Sequence, residues 1–202
     1  MNKTTISAII LLVFITLLVT IKENKSSSTE SILKESSVIL AFGDSLTYGF
    51  GVPHEFSYPK QIEKKINAKI INAGVNGELS AEGLNRLPLY LKNKPDIVIL
   101  CHGGNDLINK LPAHKLKANL LTMIKLIKES GAHILFVGVP DFGIFGFDVH
   151  EVYGEVAKET GVLYEDEILT EIQKDRSLKN DYVHPNEEGY EKMADAFIDI
   201  LK

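Results

Sequence analysis

The chain has 202 residues, 45% of them hydrophobic and 24% charged, with a net charge of −5. That is enough for one domain with a real core, and the acidic balance without a basic stripe argues against a nucleic-acid partner. Cys101 is alone and lies in an apolar run, which excludes an intramolecular disulfide and makes a thiolate metal site a poor reading.

Lys3 precedes an apolar segment, Ile6 to Ile21, in which only Ser7, Thr16 and Thr20 are polar. A basic front end and a short apolar core predict an export signal, and about 17 to 20 such residues begin to suffice for a membrane span. Residues 1–21 are therefore expected to be a signal peptide or an N-terminal membrane anchor, and the protein periplasmic or extracellular. Membrane association through residues 6–21 follows from the second option. Residues 22–36, with Ser26-Ser-Ser-Thr29, have the composition of a polar linker.

From residue 37 to 202 the pattern alternates. Val38–Phe42 reads as a buried strand, Tyr58–Asn67 as a helix with Ile62 and Ile66 four apart, and Lys69–Ala73 as a short strand. Ala81–Leu91 is the next helix, Asp96–Cys101 the next continuous apolar strand, and Ala113–Ser130 a helix closed by Gly131. His133–Val139 predicts a strand ended by Pro140, Val149–Glu159 a helix, Val162–Tyr164 a short strand and Asn186–Leu201 the terminal helix. Strands that are apolar throughout and alternate with helices imply a parallel sheet covered on both faces. The expected fold is α/β, a three-layer, doubly wound parallel sheet of about five strands.

Four polar clusters fall at strand ends or before the last helix: Gly43-Asp44-Ser45-Leu46, Asn72-Ala-Gly-Val-Asn-Gly77, His102-Gly-Gly-Asn105-Asp106 and Asp181-Tyr-Val-His184-Pro185. In open α/β sheets the carboxyl edge is where ligands bind, so Ser45 is a candidate nucleophile, although Asp-Ser after a strand also starts helices. A serine needs a base, and the base needs an orienting group. His184 supplies the first and Asp181, three residues earlier, the second, although His184 also reads as a surface helix cap. Gly77 allows a backbone amide to approach a ligand, and Asn105 brings a carboxamide donor to the sheet edge. His102 adjoins Asn105 and is expected to line the pocket. The remaining histidines are read as structural.

Missing pieces exclude other classes. Ser45 is followed by Leu46-Thr47, so there is no G-x-S-x-G elbow, and no Walker loop or G-x-G-x-x-G follows the first strand. A metallophosphatase set is incomplete, which leaves metal ligation by Asp44, Asp106 and His184 as a remote alternative. No metal and no cofactor is expected.

Together, Gly43-Asp44-Ser45-Leu46, Asn72…Gly77, Gly104-Asn105-Asp106 and Asp181-Tyr-Val-His184-Pro185 resemble the four blocks of the SGNH, or GDSL, hydrolase family, in order across 37–202. The nearest branch is the bacterial arylesterase, lysophospholipase L1 and acyl-CoA thioesterase I group, to judge from Gly83-Leu-Asn-Arg-Leu-Pro88 and His184-Pro185-Asn186. The resemblance implies a flavodoxin-like fold and hydrolysis of acyl esters or thioesters, including lipid ones, through an acyl-enzyme. It assigns Ser45, His184 and Asp181 as the triad, and the Ser45 and Gly77 amides with the Asn105 side chain as the oxyanion hole. Asp44, Gly104 and Asp106 take supporting roles. Tyr48, Leu79, His102 and Tyr182 depart from residues common in the family and bear on specificity. A carbohydrate or peptidoglycan O-acetyl esterase is the alternative on the same fold, and a non-catalytic ligand-binding module a further one. The aromatic loop Asp141–Phe147 is expected to line the acyl site or touch membrane.

Overall fold

The structure is a computed structural model that describes residues 32–34, 36–142 and 148–202. The expected leader, most of the linker, and Phe145 and Phe147 lie outside the described residues. Five parallel strands form the sheet: β1 (Val38–Gly43), β2 (Lys69–Gly74), β3 (Ile97–Cys101), β4 (His133–Val137) and β5 (Leu163–Glu165). Their order is β2-β1-β3-β4-β5, the flavodoxin-like arrangement. Helices follow in chain order: α1 (Ser45–Tyr48), α2 (Tyr58–Lys65), α3 (Ser80–Leu91), α4 (Gly104–Ile108), α5 (Ala113–Ser130), α6 (Glu151–Thr160), α7 (Ile168–Lys174) and α8 (Glu187–Leu201).

The strands are apolar throughout because helices cover them on both sides. Every residue of β3 is buried, as is β1 after Val38. On one face α3 packs against α5 and α5 against α6; on the other, α2 and α7 pack against α8. Lys65 fastens α2 to α8 by reaching Glu191 at 3.0 Å and Asp195 at 2.6 Å. Leu116, Leu120, Met123 and Ile127 form the buried stripe of α5, and Tyr190, Met193, Ala194, Phe197 and Leu201 that of α8, the helical spacing read from the sequence.

Three differences from the expected elements have local causes. Strand β4 stops at Val137, because Pro140 instead bridges to Val149 in antiparallel fashion. Helices α1, α4 and α7 are short turns of helix that periodicity over long windows does not reveal. Ile32 and Leu33, within the expected linker, pack against the core, and the Leu33 N–H donates to the Leu201 carbonyl at 3.1 Å. The packed domain thus takes in residues just ahead of 37.

Strand order reverses between β1 and β3: the chain leaves β1 for β2 on one side and then crosses to β3 on the other. Ligands bind at such a switch point, beyond the carboxyl ends of the strands. Gly43 pairs with Cys101 there, and a Cβ on Gly43 would stand 1.9 Å from the Cys101 carbonyl oxygen. Glycine is required for the two strand ends to approach this closely.

Candidate active site

Asp44 and Ser45 follow β1 immediately. The Asp44 carboxylate caps α1 by accepting from the Leu46 N–H at 3.1 Å, and it is almost wholly buried. Burial pushes the Asp44 carboxyl above the usual carboxylate range, against the opposing pull of His102, the Leu46 N–H and His184. Asp44 is therefore a brace beneath the turn. Ser45, the first residue of α1, keeps an N–H with no acceptor inside the helix.

Ser45 Oγ is 2.9 Å from His184 Nε2, and His184 Nδ1 is 2.8 Å from Asp181 Oδ2. The other carboxylate oxygen, Asp181 Oδ1, accepts from the Val183 N–H at 2.8 Å and the His184 N–H at 2.7 Å. The loop is thus wound around the carboxylate that aligns its own imidazole. Partial burial would raise the Asp181 carboxyl, but these bonds from His184 and Val183 outweigh it and hold it below the usual range. Asn180 ties the loop down: its N–H donates to the His184 carbonyl at 2.9 Å and its side chain to the Gly51 carbonyl at 2.8 Å. Gln173 on α7 donates to the Val183 carbonyl at 2.6 Å.

A small cleft of about 60 Å³ is lined by Asp44, Ser45, Leu46, Gly104, Asn105, Ile108, Phe142, Val183 and His184. Ser45, His184 and the Asn105 carboxamide thus line one space. Asn105 Nδ2 donates to the Glu78 carbonyl at 3.0 Å, which leaves its second N–H for a ligand. Gly77, with φ of 75° and exposed, does not line the cleft; its link to the site is through Glu78, the next residue. Asp106 lies behind the cleft, where its two oxygens accept from the Ser80 N–H at 2.8 Å and the Ser80 hydroxyl at 2.6 Å. It joins the start of α3 to α4. Among the described residues no group of three or more His, Cys, Asp or Glu is placed to hold a metal ion.

His102 departs from its expected place. It is wholly buried and absent from the cleft lining, because its ring turns inward to Glu78. Tyr48 and Tyr182 are exposed around the site. Phe50 went unnoticed in the sequence: its ring centroid lies 4.5 Å from that of His184, so it packs on the imidazole. The glycines on either side of it, Gly49 and Gly51, both with positive φ, were the available signal of a turn that places it. Arg86, half-buried, and Glu78, buried, were missed as an ion pair, since nothing in their spacing marks them.

Beside the cleft, and sharing Ile108, Phe142 and Val183 with it, is a cavity of about 580 Å³ that also takes in Leu107, Leu111 and Tyr182. Among the described residues no helix is long and apolar enough to cross a membrane.

Residues 41–192 match the GDSL-like lipase/acylhydrolase family. An arylesterase of Vibrio mimicus is 30% identical over 171 residues, 79% of this chain and 86% of the relative. Thioesterase 1/protease 1/lysophospholipase L1 of Escherichia coli K12 is 27% identical over 168 residues, 79% of this chain and 81% of its own. The crystal structure of AlinE4, an SGNH-hydrolase family esterase, superposes with a TM-score of 0.63 at 30% identity, over 83% of this chain and 95% of that one.

Proposed function

The chain belongs to the GDSL-like lipase/acylhydrolase family and is a hydrolase of acyl esters or thioesters, and we propose that Ser45, His184 and Asp181 carry the reaction. The observation that supports this most is the unbroken line Ser45 Oγ to His184 Nε2 to His184 Nδ1 to Asp181 Oδ2, with steps of 2.9 and 2.8 Å. Both lie in the range for catalytic hydrogen bonds.

Ser45 Oγ attacks the acyl carbon while its proton passes to His184 Nε2. The resulting oxyanion is met by the Ser45 N–H and the free N–H of the Asn105 carboxamide, which line the cleft; the Gly77 N–H, from outside that lining, is the third donor that the family resemblance assigns. Each such donor is worth roughly 3–4 kcal/mol in the transition state. The tetrahedral intermediate expels the alcohol or thiol, which takes the proton from Nε2 and leaves an acyl-serine. Water then attacks the acyl carbon, gives its proton to Nε2, and Ser45 departs with that proton. Asp181 keeps the Nδ1 proton in place throughout and stabilises the imidazolium.

The 580 Å³ cavity beside Ser45, with Leu107, Ile108, Leu111 and Phe142 on its walls, supports acyl chains longer than acetyl, lysophospholipids among them. Each methylene buried there contributes up to about 0.8 kcal/mol, or about fourfold in kcat/KM. The small cleft at Ser45 itself, about 60 Å³, favours a second reading, an O-acetyl esterase acting on carbohydrate or peptidoglycan. Hydrolysis of p-nitrophenyl acetate through decanoate by wild type, Ser45→Ala and His184→Ala tests both. Rising kcat/KM with chain length supports the first reading and a sharp fall after acetate the second. Activity that survives Ser45→Ala would sink the mechanism. The apolar run 6–21 behind Lys3 supports export, with the run either removed or kept as a membrane anchor.

A further inference from the structure

The hydrolytic reading leaves His102 without a task, although it is wholly buried directly beyond β3. Its Nδ1 accepts from the Gly103 N–H at 2.8 Å. An N–H aimed at Nδ1 places the ring proton on Nε2, and Nε2 stands 2.9 Å from Glu78 Oε2. Two residues after Gly103, Asn105 Nδ2 donates to the backbone carbonyl of the same Glu78 at 3.0 Å. These three bonds close a ring between the segment that follows Gly77 and the segment that carries Asn105. Tyr153 Oη adds a bond to the His102 carbonyl at 2.9 Å.

Arg86 on α3 fastens the ring to the nucleophile turn. It donates twice to Glu78, at 2.5 Å each, and once to the Gly43 carbonyl at 3.0 Å. Its guanidinium also lies 4.1 Å from the Phe42 ring centroid. Burial would raise the Glu78 carboxyl, but the bonds from His102 and Arg86 prevail and hold it below its usual range. Gly83 makes room for the imidazole: a Cβ there would stand 2.2 Å from His102 Nε2. An apolar side chain would fill this space without the desolvation cost of a buried ionic cluster. What the cluster adds is geometry.

We propose that His102 is a positioning residue for the oxyanion-binding carboxamide of Asn105, acting through Glu78. This rests on the reading of Ser45 as the nucleophile. A carboxamide has two N–H groups in one plane. Donating one to the Glu78 carbonyl fixes that plane and so aims the other into the cleft beside Ser45. The Glu78 carbonyl is in turn held by its own side chain, between His102 and Arg86. Without the imidazole, Glu78 keeps only Arg86, the Gly103 N–H loses its acceptor, and the support of Asn105 loosens on both sides. The donor counts most when the oxyanion forms, so the loss falls on kcat and not on KM.

The test measures kcat and KM on p-nitrophenyl butyrate for wild type, His102→Leu, His102→Gln, Asn105→Ala and the double variant His102→Leu/Asn105→Ala. His102→Leu is expected to lower kcat about 10- to 100-fold and to move KM by less than about threefold. In the Asn105→Ala background the same substitution lowers kcat by no more than about twofold, because the donor it aims is gone. His102→Gln, which keeps a donor towards Glu78, recovers most of the lost kcat. Equal losses in both backgrounds, or an unchanged kcat in His102→Leu, overturn the proposal. Should His102→Leu fail to fold, His102→Gln is compared with His102→Asn, which keeps only the acceptor towards Gly103. The proposal requires the glutamine variant to have the higher kcat at matched KM. Ser45→Ala separates the two levels: hydrolysis surviving it overturns the underlying reading, whereas hydrolysis lost there but intact in His102→Leu overturns only the positioning role.

Discussion

Replacing Asp181 by asparagine divides its two tasks. Asp181 Oδ1 accepts two backbone N–H groups, from Val183 and His184, while Oδ2 accepts only His184 Nδ1–H. The asparagine oxygen stays with the two backbone donors, since the flipped amide would lose two bonds to save one. Its NH2 then faces Nδ1, which forces the ring proton onto Nε2, where it blocks proton transfer from Ser45. The lost charge adds to this. A carboxylate about 4 Å from the developing imidazolium is worth about 4 kcal/mol near a protein surface and about 1 kcal/mol in water. With its side chain 48% exposed, Asp181 falls between those limits, below the roughly 10⁴-fold loss of a fully buried triad. The expected fall in kcat for Asp181→Asn is about 10²- to 10³-fold, with Tm unchanged within about 2 °C because the loop bonds persist. Steady-state hydrolysis of a p-nitrophenyl ester and a thermal melt measure both. A fall smaller than about tenfold in a protein that melts normally would refute Asp181 as the orienting carboxylate.

Glu78 makes stability depend on acid. Its folded carboxyl is held below the ordinary range, so its contribution is present above about pH 4.5 and is lost as pH falls through the depressed value. Melting curves between pH 7 and pH 3.5 should therefore decline less steeply on the acid side for Glu78→Gln than for wild type; parallel curves would contradict the linkage. For the apolar run 6–21, the intact mass of the protein recovered after export distinguishes its two fates. A mass lacking the run marks a signal peptide, a full-length mass in the membrane fraction marks an anchor, and full-length protein that stays in the cytoplasm would refute export.

The sheet was legible because β1 and β3 carry no polar residue to break their apolar runs, and because α5 and α8 are long enough for helical spacing to stand out. Ser45, Asn105 and His184 were legible as polar punctuation at the ends of those elements. Helix α1 showed only as the helix-start signal of Asp44-Ser45, since its four residues are held by the Asp44 cap and not by any periodicity. Helix α7 was legible in principle, with Ile168, Leu169 and Ile172 at helical spacing, but it spans only seven residues. Beyond the pairing of Ser45 with His184, contacts between distant side chains escaped. Phe50 against His184, and Glu78 between Arg86 and His102, depend on how strands and helices meet, and a one-dimensional pattern carries no trace of that. His102 misled for the same reason: its neighbour Asn105 faces the cleft, while the turn through Gly103 sends the imidazole the other way.

The 139 positions that separate Ser45 from His184 make the proposed triad a property of the finished chain. Ser45 emerges early in synthesis together with its capping residue Asp44, but its proposed base appears only when the segment before α8 is made. That segment must then dock where Asn180 grips Gly51 and where Tyr190 on α8 donates to the Phe50 carbonyl. Loop closure over such a span is among the slow steps of folding. Recovery of activity during refolding therefore clocks the last long-range closure of the domain and not the appearance of its helices. On the proposed triad, a chain that stalls before that closure carries Ser45 without its base.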